Sequence, residues 1–312
     1  MKMTMMTATL ILFLALPGQI SAAAAAAASA HDMPEGATLV LPKTPGITTG
    51  WVIVPGMLKD LHDKTLSFNV LPNGKILLAS DRILFYPELM LTLTTKVPIQ
   101  EFIWLAGGNM FVHSGQSLGF LDMNLDEKKG SSGKKSPGVV GFSSRFTIPY
   151  KQARLFEGSG DSFYLVGRNE KENRNEISAW NLADSKVPAK PLYATDAPIA
   201  AVAGTPERTY FASGRAVFLL EKGAKSAKPV YVNPREDIRE LAYRPEAGLF
   251  FTTGNSAGYI GEKEQFEFLA YPDVQIRLRG DALFVRLGTT ANGILRISGA
   301  KHFSEIRLDA PK

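Results

Sequence analysis

Residues 281–298, DALFVRLGTTANGILRIS, contain the clearest copy of a pattern that recurs along the chain. A polar turn residue comes first, an apolar run covers 282–287, a glycine-marked turn covers 288–293, and a second apolar run covers 294–297. Short runs of β-branched, aromatic and leucine residues bounded by turn residues are typical of β-strands. The pattern therefore predicts two strands joined by a turn.

Five more copies of the turn and first apolar run lie upstream, each closed by Ser or Gly. They begin at Gly74, Asn109, Asp161, Arg208 and Gly248, and the spacings up to Asp281 range from 33 to 52 residues. Flanking strands are predicted before each run at 66–71, 99–105, 153–156, 199–202, 238–243 and 274–278, and after it at 83–86, 118–121, 177–180, 217–220, 258–260 and 294–297. A weaker fourth strand is predicted at 89–93, 145–148, 230–232, 266–269 and 303–308. No segment after residue 65 sustains a helical period, so the predicted fold class is all-β.

Four short antiparallel strands cannot bury both faces of their sheet alone. Units that repeat every 40–50 residues or so bury them by packing face to face around an axis, as the blades of a β-propeller do. We expect six four-stranded blades, with seven as the alternative if residues 38–64 supply part of another. A strand at 51–54 could pair into the last blade and remove exposed sheet edges. A two-sheet sandwich is the competing architecture.

The repeated phrase, GDSFYLVG at 160–167 and GDALFV at 280–285, resembles that of exported β-propellers with weak repeats. The resemblance covers residues 65–308. The blades lack the Trp-Asp ending of WD40 repeats, the Tyr-Trp-Thr-Asp of receptor propellers and the double glycine of kelch repeats. It therefore implies an architecture and assigns no functional residue.

The N-terminal region is predicted to be a signal peptide. Lys2 precedes the apolar run LILFLAL at 10–16, and an alanine-rich run ends in Ala-Ser-Ala at 28–30, a small-x-small cleavage pattern. A retained anchor is the alternative. The predicted domains are a signal peptide at 1–30, a lead-in with a ring-closing strand at 31–64, and a β-propeller at 65–312. A periplasmic or secreted location follows from this prediction, with no transmembrane segment in the mature chain.

Composition excludes several kinds of chemistry. The chain has no cysteine, which excludes disulfides, thiolate metal sites and a cysteine nucleophile. Its net charge of +5 is too weak an excess to predict nucleic-acid binding.

Two polar runs, 124–138 and 168–176, are predicted to be exposed loops inserted into blades.

Hydrolase, phosphate-loop and dinucleotide motifs are absent from the sequence. The four histidines, His31, His62, His113 and His302, have no partners at metal-ligand spacing. No catalytic residue, metal site or cofactor is therefore predicted from motifs, and whether the chain is an enzyme stays open, with the balance against it.

Charged residues on the predicted first strands form the only candidate ligand site. In a propeller these strands line the central channel, so a channel rim is predicted from Glu101, Arg154, Arg239, Glu240 and Arg277, with Arg279 beside them. Such a rim could bind a carboxylate or phosphate through bidentate arginine contacts. The simpler interpretation, which the sequence favours, is that these charges pair with one another or face solvent.

The sequence leaves two predicted functions. The first is a binding and assembly module without catalysis that holds a protein partner in the cell envelope or outside the cell. The alternative is an enzyme that resembles lactonase-type six-bladed propellers, with a divalent metal at the channel mouth. Asn69, Glu101, Asp237 and Glu240 are the candidate metal ligands.

Overall fold

The computed structural model describes residues 33–41, 45–55, 67–89, 91–105, 109–122, 139–150, 152–183, 191–288 and 293–306. These residues form an all-β fold. Its strands are β1 Thr38–Leu39, β2 Thr48–Ile53, β3 Ser67–Val70, β4 Ile76–Tyr86, β5 Leu91–Ile99, β6 Glu101–Trp104, β7 Met110–Ser114, β8 Ser117–Asp122, β9 Val139–Thr147, β10 Ala153–Glu157, β11 Ser162–Asn169, β12 Arg174–Asn181, β13 Tyr193–Thr195, β14 Ala201–Gly204, β15 Arg208–Ser213, β16 Ala216–Glu221, β17 Lys228–Val232, β18 Glu240–Arg244, β19 Gly248–Thr252, β20 Ser256–Ile260, β21 Gln265–Ala270, β22 Gln275–Arg279, β23 Ala282–Arg286 and β24 Ile294–Ser298. The all-β prediction is confirmed.

The strands of the described ranges are arranged in five sheets. Three are four-stranded, in the orders β10-β11-β12-β13, β14-β15-β16-β17 and β2-β24-β23-β22. A five-stranded sheet has the order β1-β21-β20-β19-β18, and a seven-stranded sheet has the order β3-β4-β5-β9-β8-β7-β6. Strand pairing is antiparallel throughout these sheets except between β5 and β9, where two sets of consecutive strands join edge to edge.

Six strands form the inner edges of these sheets: β3, β6, β10, β14, β18 and β22. Each contacts the next, and β22 contacts β3, so the six close a cycle around a central channel. Apolar clusters lie between consecutive sets of strands, where aromatic rings such as Phe111, Phe163 and Trp180 pack together. The fold is therefore propeller-like, and the two-sheet sandwich is excluded.

The N-terminal strands join sheets that are built from distant parts of the chain. In the β2–β24 pair, Thr48 lies opposite Ser298 and Trp51 opposite Leu295. Strand β1 pairs with β21 at the outer edge of the five-stranded sheet. Strands β1 and β2 therefore extend sheets whose other strands come from later parts of the chain.

Three local predictions differ from the structure. The separate strands predicted at 74–80 and 83–86 are one strand, β4, which passes through Asp81 at φ 45° with an irregular register. Residues 300–305 form a 3-10 helix where a strand was predicted at 303–308, because β2 already occupies the edge of β24. The run 168–176 belongs to the β11–β12 hairpin and is not an inserted loop, since Asn169 pairs with Arg174.

Other predictions lie outside the described residues. These are the signal peptide at 1–30, His31, His62 and the polar run 124–138. Among the described residues, no helix has the length and apolar character that crossing a membrane requires.

Candidate functional site: a central channel lined by arginine and glutamate

The channel is lined by the inner edges of six strands, and each edge leaves backbone groups that have no partner within their own sheet. A buried backbone group without a hydrogen bond costs about 1–3 kcal/mol, so these edges need partners from elsewhere. Polar side chains from the neighbouring inner strand supply them at five of the six strand junctions. The polar side chains of the candidate site therefore also connect neighbouring sheets.

Two glutamates cap backbone N–H groups across strand junctions. Glu101, the first residue of β6, accepts a hydrogen bond from the backbone N–H of Leu155 on β10. Glu240, the first residue of β18, accepts one from the N–H of Ile276 on β22 at 2.9 Å. The same two carboxylates accept from Arg154 Nε at 3.3 Å and from Arg277 Nη1 at 3.3 Å. Two similar Glu–Arg pairs thus lie on opposite sides of the six-strand cycle.

Arginine and asparagine side chains cap backbone carbonyls in the same way. Arg277 Nε donates to the carbonyl of Phe68 at 3.1 Å, and Arg279 Nε donates to that of Val70 at 3.0 Å. Asn69 Nδ2 donates to the carbonyl of Phe102 at 3.2 Å, and Arg154 Nη1 donates to that of Ala200. These contacts fix the direction of each guanidinium group.

A third ion pair crosses the channel. Arg279 lies on β22 and Glu157 on β10, and these two strands are three places apart in the six-strand cycle, so they face each other. Arg279 Nη1 and Nη2 donate to Glu157 Oε1 and Oε2 at 2.8 Å and 3.1 Å. This fork-to-fork geometry is the strongest form of an arginine–carboxylate contact.

A cavity of about 330 Å³ lies within the channel, and all six inner strands contribute to its lining. Its charged lining residues are Glu101, Arg154, Glu157, Glu240, Arg244, Arg277 and Arg279. Four arginines against three glutamates leave a formal excess of one positive charge. A small anionic molecule suits this lining better than a cationic one.

Burial raises the pKa of Glu157 above the ordinary carboxyl value, although Arg279, Arg244 and Arg277 each act in the opposite direction. The side chain is 27% exposed, and the cavity that it faces is lined by all six inner strands, so protein atoms replace much of the water that would surround a free carboxylate.

A second cavity of about 490 Å³ lies at the channel mouth, beside the first residues of β18 and β22. Arg239 lines it and pairs with Asp273 at 2.9 Å. Arg286, at 1% exposure, donates to Gln275 Oε1 at 3.1 Å. Burial lowers the pKa of Arg286 to about 10, while the nearby Glu240 raises it and Arg277 lowers it further.

The structure separates the predicted rim residues into two groups. Glu101, Arg154, Glu240 and Arg277 line the inner cavity, whereas Arg239 lies only at the mouth. Their ion pairs agree with the simpler interpretation of mutual pairing. Ligand binding by these residues stays a prediction.

Three buried or channel residues were not predicted as part of the site. Glu157 lies one residue beyond the first strand predicted at 153–156, and it is the last residue of β10 in the structure. Arg286 is the last residue of β23, the strand next to the inner strand β22, and the sequence gives no reason to expect a buried charge there. His113, predicted to be a packed or surface strand residue, is buried next to Glu101: Nδ1 lies 3.4 Å from Glu101 Oε2, and Nε2 donates to the carbonyl of Gly115 at 3.0 Å.

The predicted metal ligands do not fit a divalent cation. Ca²⁺ needs about six or more oxygen ligands around one point. Glu101 and Glu240 are each held by an arginine and a backbone N–H, and Asn69 Oδ1 accepts from the N–H of Val70. Asp237 lines the mouth cavity only. No group of three or more His, Asp or Glu side chains suitable for a metal occurs in the part of the chain that the structure describes.

Fold and site together define a propeller-like protein with a polar, arginine-rich channel. No family model and no curated protein matches the sequence. Among solved structures, a luciferin-regenerating enzyme is similar with a TM-score of 0.54 and 12% identity, covering 80% of this chain and 96% of that one. A gluconolactonase from Xanthomonas campestris gives 0.52 and 7%, with 84% and 94% covered. The PQQ-bound aldose sugar dehydrogenase from Streptomyces coelicolor gives 0.53 and 13%, with 81% and 98% covered.

At these identities the likeness shows the fold alone. It nevertheless overturns the first functional prediction, that of a binding and assembly module without catalysis, because each of these three structures is named as an enzyme. The lack of catalytic motifs in the sequence is therefore no evidence against catalysis. Residues that converge from separate sheets leave no motif in the linear sequence.

Proposed function

We propose that this chain is a six-bladed propeller enzyme that hydrolyses a small cyclic ester in its inner cavity. Six blades are supported by the closed cycle of six inner strands. Lactonase chemistry is supported by the likeness to gluconolactonase structures. The observation that carries the proposal is the Glu157–Arg279 pair, which places a carboxyl of raised pKa beside a fixed guanidinium group in the cavity of the channel.

Glu157 is the general base of this reaction. A carboxylate with a raised pKa removes a proton from water more effectively at neutral pH than an ordinary carboxylate does. Each carboxylate oxygen that accepts from Arg279 keeps a second lone pair for this proton. As the proton moves to Glu157, the water oxygen bonds to the ester carbonyl carbon.

The arginines stabilise the charge that the reaction creates. Attack by water places a negative charge on the carbonyl oxygen, and fixed donors in an enclosed site stabilise such a charge strongly. Arg277 and Arg279 are held in place through their Nε contacts to Phe68 and Val70. When the ring C–O bond breaks, the leaving alkoxide takes the proton back from Glu157. The product is a hydroxycarboxylic acid, which releases its carboxyl proton to solvent and becomes a hydroxycarboxylate.

No step uses a divalent metal, because the carboxylates that would hold one are bound to arginines and backbone N–H groups.

The location is proposed to be periplasmic or extracellular on the basis of residues 1–30. N-terminal sequencing of the protein purified from its own cell envelope tests whether these residues are removed.

Hydrolysis of a panel of γ- and δ-lactones, followed with a pH indicator, tests the activity. Glu157→Gln should lower kcat by a factor of about 10²–10⁴, the usual contribution of a general base. Glu207→Gln is the matched control, since Glu207 is an exposed residue that pairs with Lys222. Failure of the wild-type protein to open any lactone, or equal kcat values for wild type and Glu157→Gln, would overturn the proposal.

A further inference from the structure

We propose that Arg279 is the receptor for a ligand carboxylate, and that Glu157 occupies this receptor as an internal competitor when no ligand is bound. The inference rests on the proposed function in one respect, because a hydroxycarboxylate product is the ligand class it names. The binding site itself follows from the geometry of the channel.

Arg279 is oriented for a bidentate contact before any ligand arrives. Its Nε is bound to the carbonyl of Val70 at 3.0 Å, which fixes the plane of the guanidinium group. Its Nη1 and Nη2 point across the cavity and hold both oxygens of Glu157. A carboxylate is the group that matches these two donors, and Glu157 shows the position that a ligand carboxylate would take.

Glu157 is a competitor that can be displaced. Its strand, β10, is separate from β22, so loss of the ion pair breaks no backbone hydrogen bond between them. The side chain is 27% exposed to the cavity, which gives it room to change rotamer. Burial also disfavours its ionised form, so a proton weakens its hold on Arg279.

Protonation should therefore promote anion binding. The charged groups that act on Glu157 are Arg277 and Arg279 on β22 and Arg244 at the end of β18. The other charged groups lining the cavity are Glu101 on β6, Arg154 on β10 and Glu240 on β18, while β3 and β14 contribute uncharged residues. A proton on Glu157 raises the formal excess in the cavity from one positive charge to two. Proton uptake and carboxylate binding are thus coupled and strengthen each other.

Calorimetric titration of the full-length protein with gluconate tests this inference, and sorbitol serves as the analogue that lacks the carboxylate. Wild type should bind gluconate at least ~10-fold more tightly near pH 5 than near pH 8, following the protonation of one carboxyl group. Glu157→Gln should bind as tightly near pH 8 as wild type does near pH 5. Arg279→Met should lose binding at both pH values, and Arg279→Lys should keep only a weak remainder because it cannot form two parallel contacts.

Glu207→Gln should match wild type, and circular dichroism of every variant should confirm its fold. Gluconate binding that is independent of pH in wild type, that survives in Arg279→Met, or that is matched by sorbitol would each overturn the inference. A protein that binds gluconate as described but opens no lactone would remove the proposed function and leave the carboxylate receptor in place. The reverse result, lactone hydrolysis with unchanged binding in Arg279→Met, would remove only the receptor.

Discussion

Trp51 lies directly opposite Leu295 in the β2–β24 pair, so residues near the two ends of the described chain share one sheet. Next to them, Ile53 is 1% exposed and packs with Phe68 and Phe284 between that sheet and β3–β4. The closure of the ring therefore depends on a short N-terminal strand and on the apolar contacts it makes.

Ile53→Ala should lower the free energy of unfolding by about 2–4 kcal/mol, since it leaves a cavity among large buried side chains. Urea denaturation followed by tryptophan fluorescence measures this change. Val54→Ala is the control, because Val54 is adjacent but 50% exposed and should change stability by no more than about 0.5 kcal/mol. Equal effects of the two substitutions would contradict the proposed importance of β2 for ring closure.

Tyr150 and Glu176 form a buried polar contact that should contribute strongly to stability. Tyr150 Oη donates to Glu176 Oε2 at 2.9 Å, and Asn169 donates to Oε1 at 2.8 Å. Tyr150→Phe leaves the charged Glu176 with one partner fewer and should cost about 1.5–3 kcal/mol. A double-mutant cycle with Glu176→Gln measures the coupling, and strictly additive effects would contradict a direct interaction.

The same tyrosine gives an alkaline pH dependence. Burial raises the pKa of Tyr150 to about 12, above its ordinary value of 10. The folded protein therefore keeps this proton over a pH range in which the unfolded chain loses it, and the contribution to stability falls as the pH rises from about 10 to about 12. Unfolding curves of wild type and Tyr150→Phe should converge over that range. A constant difference would show that the phenol titrates normally.

Glu157 gives a pH dependence at the acid end. Its pKa is raised by burial, so the native state binds a proton at pH values where the unfolded chain has already lost it. Its contribution to the free energy of unfolding is largest below the ordinary carboxyl pKa and falls as the pH rises through the raised native value. Glu157→Gln should therefore gain stability relative to wild type with rising pH. A gap between the two proteins that widens in favour of wild type would contradict this sign.

The channel carboxylates of Glu101 and Glu240 are already bound to arginines and backbone N–H groups, so divalent cations should not change the thermal stability of the protein. Adding Ca²⁺ or Zn²⁺ should leave the midpoint of thermal unfolding unchanged to within about 1 °C, because a ligand stabilises a protein only if it binds the native state. A chelator should likewise leave any lactonase activity intact. A clear rise of the midpoint with saturable dependence on either metal would show that the carboxylates exchange their arginine partners for a cation.

Much of the fold could be predicted because each sheet needs the same local pattern. The runs that begin near Gly74, Asn109, Asp161, Arg208, Gly248 and Asp281 all lie in strands, since their apolar residues fill the clusters between neighbouring sheets. The failed prediction at 303–308 involves a partner that is distant in sequence. Phe303 is fully buried, and its apolar neighbours suggested a strand, yet the edge it would have used is taken by β2.

The site could be predicted only in part, for a related reason. The sequence shows that charges such as Arg154 and Arg277 lie on inner strands, because that follows from strand order. It does not show that Arg279 reaches Glu157, which lies 122 positions away on the opposite side of the channel. A contact of this kind depends on the closed ring and not on any local spacing.

Arg277, Arg279 and Glu240 cap strand edges, so the residues that determine the chemistry of the channel also stabilise the fold. A change that redesigns the channel for another ligand also withdraws a partner from a backbone group of the adjacent sheet. We therefore expect that lineages of this fold change their chemistry through coordinated replacements on neighbouring inner strands, and that single exchanges in the channel are rarely tolerated.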